Sequence, residues 1–433
     1  MRIVVVGAYG LIGSYVTARL LADGHGVVGV GRDLVQARRR FPTVDWRAAD
    51  LRTATAADWT ALLADADAVV NCAGALQDGP RDDLKAVHAD AVARLVEACE
   101  ATGARLVHIS AAGVAAGRVD PFGATKQLAE SLIAQSRIDW IVLKPGLVIA
   151  PAAYGGTALL RALAAFPLAI PAVHANARVQ VVAADDVAAA VSIAVRPDTP
   201  PGQSLDLVHA EPVALADLLT RLRGWLGLGP APVVALPAAV AAIPAKAADA
   251  LAFLGWRSPM RSAALQQLRL GVAGNAADAA RLDLEPKSLD QILAAMPSGV
   301  QERWFAKAWL AKPLILATLS AFWLVSGLIG LTVGRAAAVA LLTSADMPQP
   351  LAQPLAQAFV VGGGIVDVAL ALMVAHRRTA RLALLGMIAV TAAYLTGGAI
   401  VRPDLWLDPL GPLVKSIPAA VLALAALALL DER

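Results

Sequence analysis

Residues 2–13, RIVVVGAYGLIG, confine this chain to a narrow choice of folds. Ile3 to Val6 are apolar without a polar break, the mark of a short strand buried on both faces. Gly7, Gly10 and Gly13 follow, and residues 15–22 continue with helical spacing, so the glycines fall at a turn from strand into helix. Such a turn favours a phosphate. Glycine lets a ligand approach the backbone, and the helix start offers unpaired N–H groups and the positive end of its dipole. The spacing is GxxGxxG rather than the GxGxxG of the usual dinucleotide fingerprint, and its place between strand and helix is what makes it informative.

Further strands are expected at 26–30, 44–48, 68–71, 106–110 and 140–143, with helices at 84–102 and 124–135. Strands alternating with helices imply a doubly wound parallel sheet of Rossmann type. The second strand ends at Gly31-Arg32-Asp33, where such a fold chooses its cofactor. Arginine there suits a 2′-phosphate and acid suits a ribose hydroxyl, so Arg32 points to NADP while the adjacent Asp33 leaves NAD open. Small residues after the fourth strand, Cys72-Ala73-Gly74, let a dinucleotide lie flat against the sheet edge.

With 433 residues the chain is long enough for two or three domains. Its 58% hydrophobic content and mean hydropathy of +0.62 exceed those of an ordinary soluble enzyme, so a membrane portion is expected. A net charge of +3, with only short basic clusters, speaks against nucleic acid. Cys72 and Cys99 form no CxxC pair and no histidines stand at metal spacing, so neither a disulfide framework nor a metal site is expected, and a reducing compartment fits. No charged start precedes an apolar stretch, so no cleavable signal peptide is expected.

GAYGLIG, AADL at 48–51, NCAG at 71–74, LVEACEATG, LVHISAAGV, PFGATKQLAE, LKPGLVIAP and VQVVAADDV occur in the order of the short-chain dehydrogenase/reductase superfamily, and residues 1–300 resemble its extended or atypical branch. The resemblance implies a Rossmann domain with a small substrate subdomain at 151–300. It also implies nucleotide contacts from Gly7, Tyr9, Gly10, Leu11, Ile12, Gly13, Arg32, Asp50, Leu51, Ala73, Gly74, Ser110, Lys126 and Pro145.

The catalytic positions depart from that family. Its YxxxK pair supplies a proton from tyrosine and holds the nicotinamide ribose with lysine; here the pair reads Phe122 and Lys126. Phenylalanine cannot act as acid or base. The positions of the helping hydroxyl hold Ala111 and Ala112. Lys126 is expected to keep the ribose. Tyr154, in the loop after the sixth strand, is the replacement donor considered first; Tyr9 is expected along the dinucleotide, and His88 and His108 in structural roles. In residues 255–261, GWRSPMR, Arg257 and Arg261 read as a solvated turn beside a membrane in preference to an anion clamp.

Beyond residue 300 the composition changes. Stretches 314–334, 356–375, 382–401 and 412–430 are apolar enough to span a bilayer. Arg303, Lys307, Lys312, Arg377, Arg378 and Arg381 flank one side, while the other loops carry Asp346, Asp404 and Asp408 with Arg335 and Arg402. The bias places both termini and the nucleotide domain in the cytoplasm, on the inner membrane. Trp304, Trp309 and Trp406 fall at expected interfaces. Asp367 lies inside the second span, with Lys415 as its expected partner, either as a structural contact or in a proton or ligand role. GGGIVDVALALM and RPDLWLDPLGPLVKSIP are similar to the DoxX-like membrane family over residues 310–430.

The combined expectation is a Rossmann-like domain at 1–300 followed by an all-α transmembrane four-helix bundle at 301–433. It would be an NAD(P)-dependent oxidoreductase or isomerase acting on a lipid-like or quinone-like molecule, or else a non-catalytic NAD(P)(H)-binding module. The expected partners are NADP, with NAD still open, the lipid bilayer and an unidentified small molecule.

Overall fold

The computed structural model describes residues 1–75, 78–79, 83–114, 120–343 and 351–430; the expected outer-loop acid Asp346 lies outside them. The chain divides into two units, residues 1–249 with 258–303, and residues 250–257 with 304–433.

In the first unit, among the described residues, seven strands form one sheet: β1 Arg2–Val6, β2 Gly26–Gly31, β3 Asp45–Ala48, β4 Ala68–Asn71, β5 Arg105–Ile109, β6 Trp140–Pro145 and β7 Gln203–Leu207. Their spatial order is β3-β2-β1-β4-β5-β6-β7, and all neighbours run parallel. The order reverses between β1 and β4, which is where doubly wound sheets open a ligand crevice beyond the strand ends.

Side chains alternate across the sheet. Ile3 and Val5 of β1 enter a core with Leu20, Ile141, Leu143, Val187 and Val191. Val4 and Val6 enter the opposite core with Trp59, Leu63, Leu95, Leu106 and Ile133. Both faces are covered, which explains why the central strands β1 and β4 read as short, largely unbroken apolar runs. The helices start where side-chain caps permit. Thr55 and Asp58 form a capping box before Ala56–Leu63, and Asp120 caps Pro121–Gln135 through the Gly123 N–H with proline at the first turn.

Strand β7 and the π-helical turn Ala86–Asp90 depart from the sequence expectation. QSLDL does not read as a buried strand because of Asp206, yet Lys144 of β6 stands 3.3 Å from that carboxylate and compensates it. The expected helix from residue 84 runs through the π turn before Ala91–Thr102.

In the second unit, among the described residues, three helices are long and apolar enough to cross a membrane: Val300–Leu331, Ala352–Ala375 and Ala380–Val401. The first begins well before the expected residue 314, because Lys307, Lys312 and Pro313 are carried inside the helix. The fourth expected span, 412–430, is corrected to the shorter apolar segment Val414–Leu429, whose first turn is a 3-10 turn. At one end of this unit Lys312 Nζ and Arg377 Nη2 both reach the Leu430 carbonyl, at 3.4 and 3.2 Å. At the other, Arg402 Nη1 donates to Leu341 O at 2.8 Å.

A close joint in the first unit lies between Gly13 and the glycine turn. A Cβ at Gly13 would stand 2.2 Å from the Gly7 carbonyl oxygen, so helix Leu11–Ala22 seats directly on the turn. The Gly13→Ala variant is expected to lose about 1–3 kcal/mol through this overlap. Thermal melting of the solubilised full chain, with and without NADPH, measures the loss.

Candidate functional site

Gly7 adopts φ +75°, a conformation costly for other residues, and a Cβ there would press within 3.1 Å of Ala73 after β4. The Gly10 N–H donates to Gly7 O at 2.8 Å, and helix Leu11–Ala22 opens behind it with Leu11 and Ile12 half-buried. A backbone cradle with a helix start at its rim therefore faces the switch between β1 and β4. This suits a pyrophosphate.

Tyr9 lies across the end of β2. Its ring occupies the space a Cβ on Gly31 would take, its hydroxyl accepts from the Asp33 N–H at 3.2 Å, and Trp46 lies against it at 6.0 Å between ring centroids. Asp33 caps the helix Leu34–Arg40 by accepting from Gln36 N–H at 3.1 Å, so its carboxylate is committed to the backbone. Arg32 is exposed beside it. Arg40, unmarked in the sequence among three consecutive arginines, reaches the glycine loop: its guanidinium is 3.1 Å from Ser14 Oγ and 3.4 Å from Tyr9 O. Asp50 is ion-paired with Arg52 at 2.6 Å, and that hydrogen bond, helped by the Arg32 charge, pulls its carboxyl down to about 2. The Leu51 carbonyl accepts from Arg94 at 2.7 Å.

At the ends of β4 and β5 a second group of residues converges. Lys126 is buried and donates to Ile109 O at 2.9 Å. A Cβ on Gly74 would lie 3.6 Å from His88 Nε2 and 3.7 Å from Lys126 Nζ, so the absent side chain keeps that space clear. The Ala75 N–H donates to His88 Nε2 at 3.0 Å, which leaves the ring proton on Nδ1, 3.0 Å from Thr125 Oγ1. Burial and the nearby Lys126 ammonium push His88 down to about 3, so it is neutral at pH 7 and its proton is committed to a structural bond. Phe122, expected from the sequence resemblance at the tyrosine position, packs edge-on against the His88 ring at 5.6 Å. His108 is buried, with Asn71 Nδ2 3.2 Å from its Nδ1, and burial lowers its pKa strongly.

Ser110, immediately after β5, hydrogen-bonds Glu130 on the helix that carries Lys126. Burial raises the Glu130 carboxyl above its usual range despite Ser110, Lys144 and Lys126 nearby. Sequence reading passed over Glu130 because it falls one helical turn after Lys126 as an ordinary polar position; spacing of four from the lysine was the available signal. Pro145 ends β6, and its carbonyl accepts from Ala112 N–H at 2.9 Å. Tyr154 stands before helix Gly156–Ala164, its N–H donating to Thr157 Oγ1 at 3.2 Å. Arg261 pairs with Asp249 at 2.8 Å and donates to Asp78 O at 2.6 Å, which makes it a loop tie.

In the second unit Asp367 is 6% exposed, and its Oδ1 accepts from the Tyr394 hydroxyl at 3.0 Å. A Cβ on Gly363 would meet that hydroxyl at 2.8 Å, and one on Gly327 would meet Asp367 Cβ at 2.9 Å, so three helices close around the pair. The expected partner Lys415 is corrected: it sits exposed in the turn Val414–Ser416 at the start of the last helix, whereas Asp367 lies well inside Ala352–Ala375.

Residues 7–191 match the family model described as NAD(P)H-binding, and residues 320–424 match the DoxX-like family. The chain joins an NAD(P)-binding Rossmann domain to a DoxX-like domain. The Rossmann fold is also that of UDP-glucuronic acid 4-epimerase from Bacillus cereus, solved with UDP-glucuronic acid and NAD, at 18% identity and a TM-score of 0.52 over 71% of this chain and 100% of that one. Bordetella bronchiseptica WbmG, solved with NAD, gives 16% and 0.52 over 68% and 92%. An uncharacterized protein of Mycobacterium tuberculosis is 31% identical over 189 residues, 43% of this chain, and the chain spans only 19% of that relative's length.

Burial lowers Lys126 of the Rossmann domain from the usual 10.5 to about 8, against the opposing pull of Glu130 and Cys72. Below pH 8 folded and unfolded chains both hold the proton, and folding bears the whole burial penalty. Between pH 8 and 10.5 the folded chain has released a proton that the unfolded chain keeps, so stability rises with pH. The thermal midpoint of the unmodified protein is therefore expected to gain on that of Lys126→Met across this window. Parallel pH series of melting curves would reveal the converging difference.

Proposed function

We propose that the protein is a membrane-anchored NAD(P)(H)-dependent oxidoreductase or isomerase acting on a lipid-like or quinone-like molecule at the bilayer, with NADP preferred. The observation that carries this reading is Lys126: its ammonium is buried against Ile109 O beside the space left by Gly74, where an SDR-type lysine would hold the nicotinamide ribose. One hydrogen is committed to Ile109 O, and the ammonium retains donors for ribose hydroxyls. Gly7, Gly10 and Gly13 would take the pyrophosphate, and Leu11, Ile12, Tyr9, Asp50, Leu51 and Ala73 would line the adenosine side. A bound nicotinamide would supply hydride transfer. Arg32 and Arg40 support a 2′-phosphate, since Asp33 is occupied in capping its helix.

The proton has to come from elsewhere than residue 122. The Ser110 hydroxyl lies at the β5 end with Glu130 behind it, and burial keeps a proton on that carboxyl at higher pH than usual. In this reading the pair stores the proton that the family's tyrosine would hold, and Ser110 hands it on; Tyr154 is the second donor considered. The DoxX-like domain supports an apolar substrate. Lys312, Arg377 and the Leu430 carbonyl gather at one end of that domain, consistent with a cytoplasmic basic face shared by both chain ends.

A second reading, a non-catalytic nucleotide-binding module, is favoured by Phe122, Ala111 and Ala112, which strip hydroxyls from the usual catalytic positions. NADPH consumption by the full chain in nanodiscs, supplied with membrane-soluble quinones or long-chain aldehydes, separates the two. Turnover by the unmodified protein, falling about 10²-fold in Glu130→Gln, is expected for the enzyme. Nucleotide binding without turnover, with activity appearing only in Phe122→Tyr, would establish the binding module.

Arg32→Ala is expected to weaken NADPH binding about tenfold and leave NADH binding nearly unchanged, the ~1.5 kcal/mol of one charge-assisted hydrogen bond. Fluorescence titration with both nucleotides measures the ratio.

A further inference from the structure

The interior of the second unit holds a carboxyl whose hydrogen bonding is half complete. Asp367 Oδ1 accepts from the Tyr394 hydroxyl at 3.0 Å. Among the described residues nothing bonds Oδ2, and packing does not seal it. Bare backbone surrounds the pair, since Gly327 brings the first span up to Asp367 and Gly363 brings the second span up to the Tyr394 hydroxyl. Three helices thus close on the carboxyl without supplying its second partner.

A further polar group is unmet in the same layer. Ser320 Oγ donates to Ala371 O at 3.0 Å, while a Cβ on Gly327 would meet Gly364 O at 2.7 Å and Asp367 Cβ at 2.9 Å, so helices Val300–Leu331 and Ala352–Ala375 run antiparallel. Trp323 falls between those two contacts, one turn before Gly327, and packs in the cluster that holds Leu370 and Ala371. Its indole N–H is buried without an acceptor. Hydrocarbon contains no water to satisfy either group, and leaving them unmet there is costly.

The chemistry of the two groups narrows the guest that would complete this layer. Among the described residues no three acids, histidines or cysteines gather as they would around a metal ion. The guest has to dissolve in the bilayer, and its polar group has to both donate and accept. A hydroxyl does so: it gives its hydrogen to a carboxylate oxygen or accepts one from a carboxylic acid, so it matches Oδ2 in either protonation state. Tyr394 already presents a hydroxyl to Oδ1 in the same way.

We propose that the DoxX-like bundle binds a lipid-soluble alcohol or phenol between helices Val300–Leu331, Ala352–Ala375 and Ala380–Val401, with the guest hydroxyl on Asp367 Oδ2 and Trp323 in the wall of the site. Tyr394 would hold the carboxyl in position from the third of these helices. The site belongs to the bundle alone and does not depend on nucleotide turnover.

The test uses the full chain in nanodiscs and a farnesol analogue carrying a diazirine near its hydroxyl, with labelled peptides located by mass spectrometry after illumination. The expected result is saturable labelling within residues 319–331, 359–371 or 387–398. Unlabelled farnesol should suppress it at a concentration about tenfold lower than a saturated hydrocarbon of equal length, the contribution of one hydrogen bond to a charged or buried group. Labelling should be lost in Asp367→Leu and return in Asp367→Asn, whose amide still donates and accepts. Equal competition by the hydrocarbon would overturn the proposal and leave an apolar groove. Equal competition by farnesyl methyl ether, which offers no hydrogen, would overturn it too, as would labelling that never saturates or that Asp367→Leu leaves unchanged. The competition series needs only the unmodified chain, so it decides even where a variant fails to fold.

Discussion

The approach of Gly13 to the Gly7 carbonyl is the constraint on which the first unit rests. It sets helix Leu11–Ala22 against the turn, which turns the helix start toward the gap between β1 and β4. The same turn brings Gly7 against Ala73, so the end of β4 is placed by backbone contact. Everything that converges beyond β4 and β5 inherits its position from that packing. A side chain at any of these points would separate helix, turn and strand together.

Beyond the turn, burial determines which groups hold protons. His88 is neutral and both ring nitrogens are engaged, Lys126 holds its charge more loosely than a surface lysine, and Glu130 holds its proton more tightly than a surface acid. A lysine that releases a proton readily and an acid that retains one stand a helical turn apart on one helix. Phe122 meanwhile packs edge-on against the His88 ring and brings no ionisable group to this cluster.

Five of the first six strands were legible to within a residue, the inner ones because a strand buried on both faces gives a short apolar run bounded by turn residues; β6 extends two residues further, through Lys144 to Pro145. β7 was not, since Asp206 breaks its apolar pattern and the partners that satisfy it, Lys144 and the Asn275 N–H, lie 62 and 69 positions away and leave no local pattern. The glycines and Lys126 stood out by type and spacing. Arg40 and Glu130 did not: one is hidden in an arginine triplet and the other in a regular helix, and each acquires meaning only from what it reaches. In the membrane unit, charge complementarity suggested Lys415 for Asp367, but the face of a helix decides contacts before charge does, and Tyr394 holds the facing position.

The Leu430 carbonyl, gathered by Lys312 and Arg377, gives the second unit an asymmetry. A helix terminus carries partial negative charge, and two cations closing over it tie the last helix to the first and second at one rim. The opposite rim is closed by Arg402 on Leu341 O and by Leu413 against Gly398. The two ends of the bundle are therefore fastened by different chemistry: a pair of cations closing on one helix-end carbonyl at one, and one arginine together with an apolar side chain seated in a glycine notch at the other.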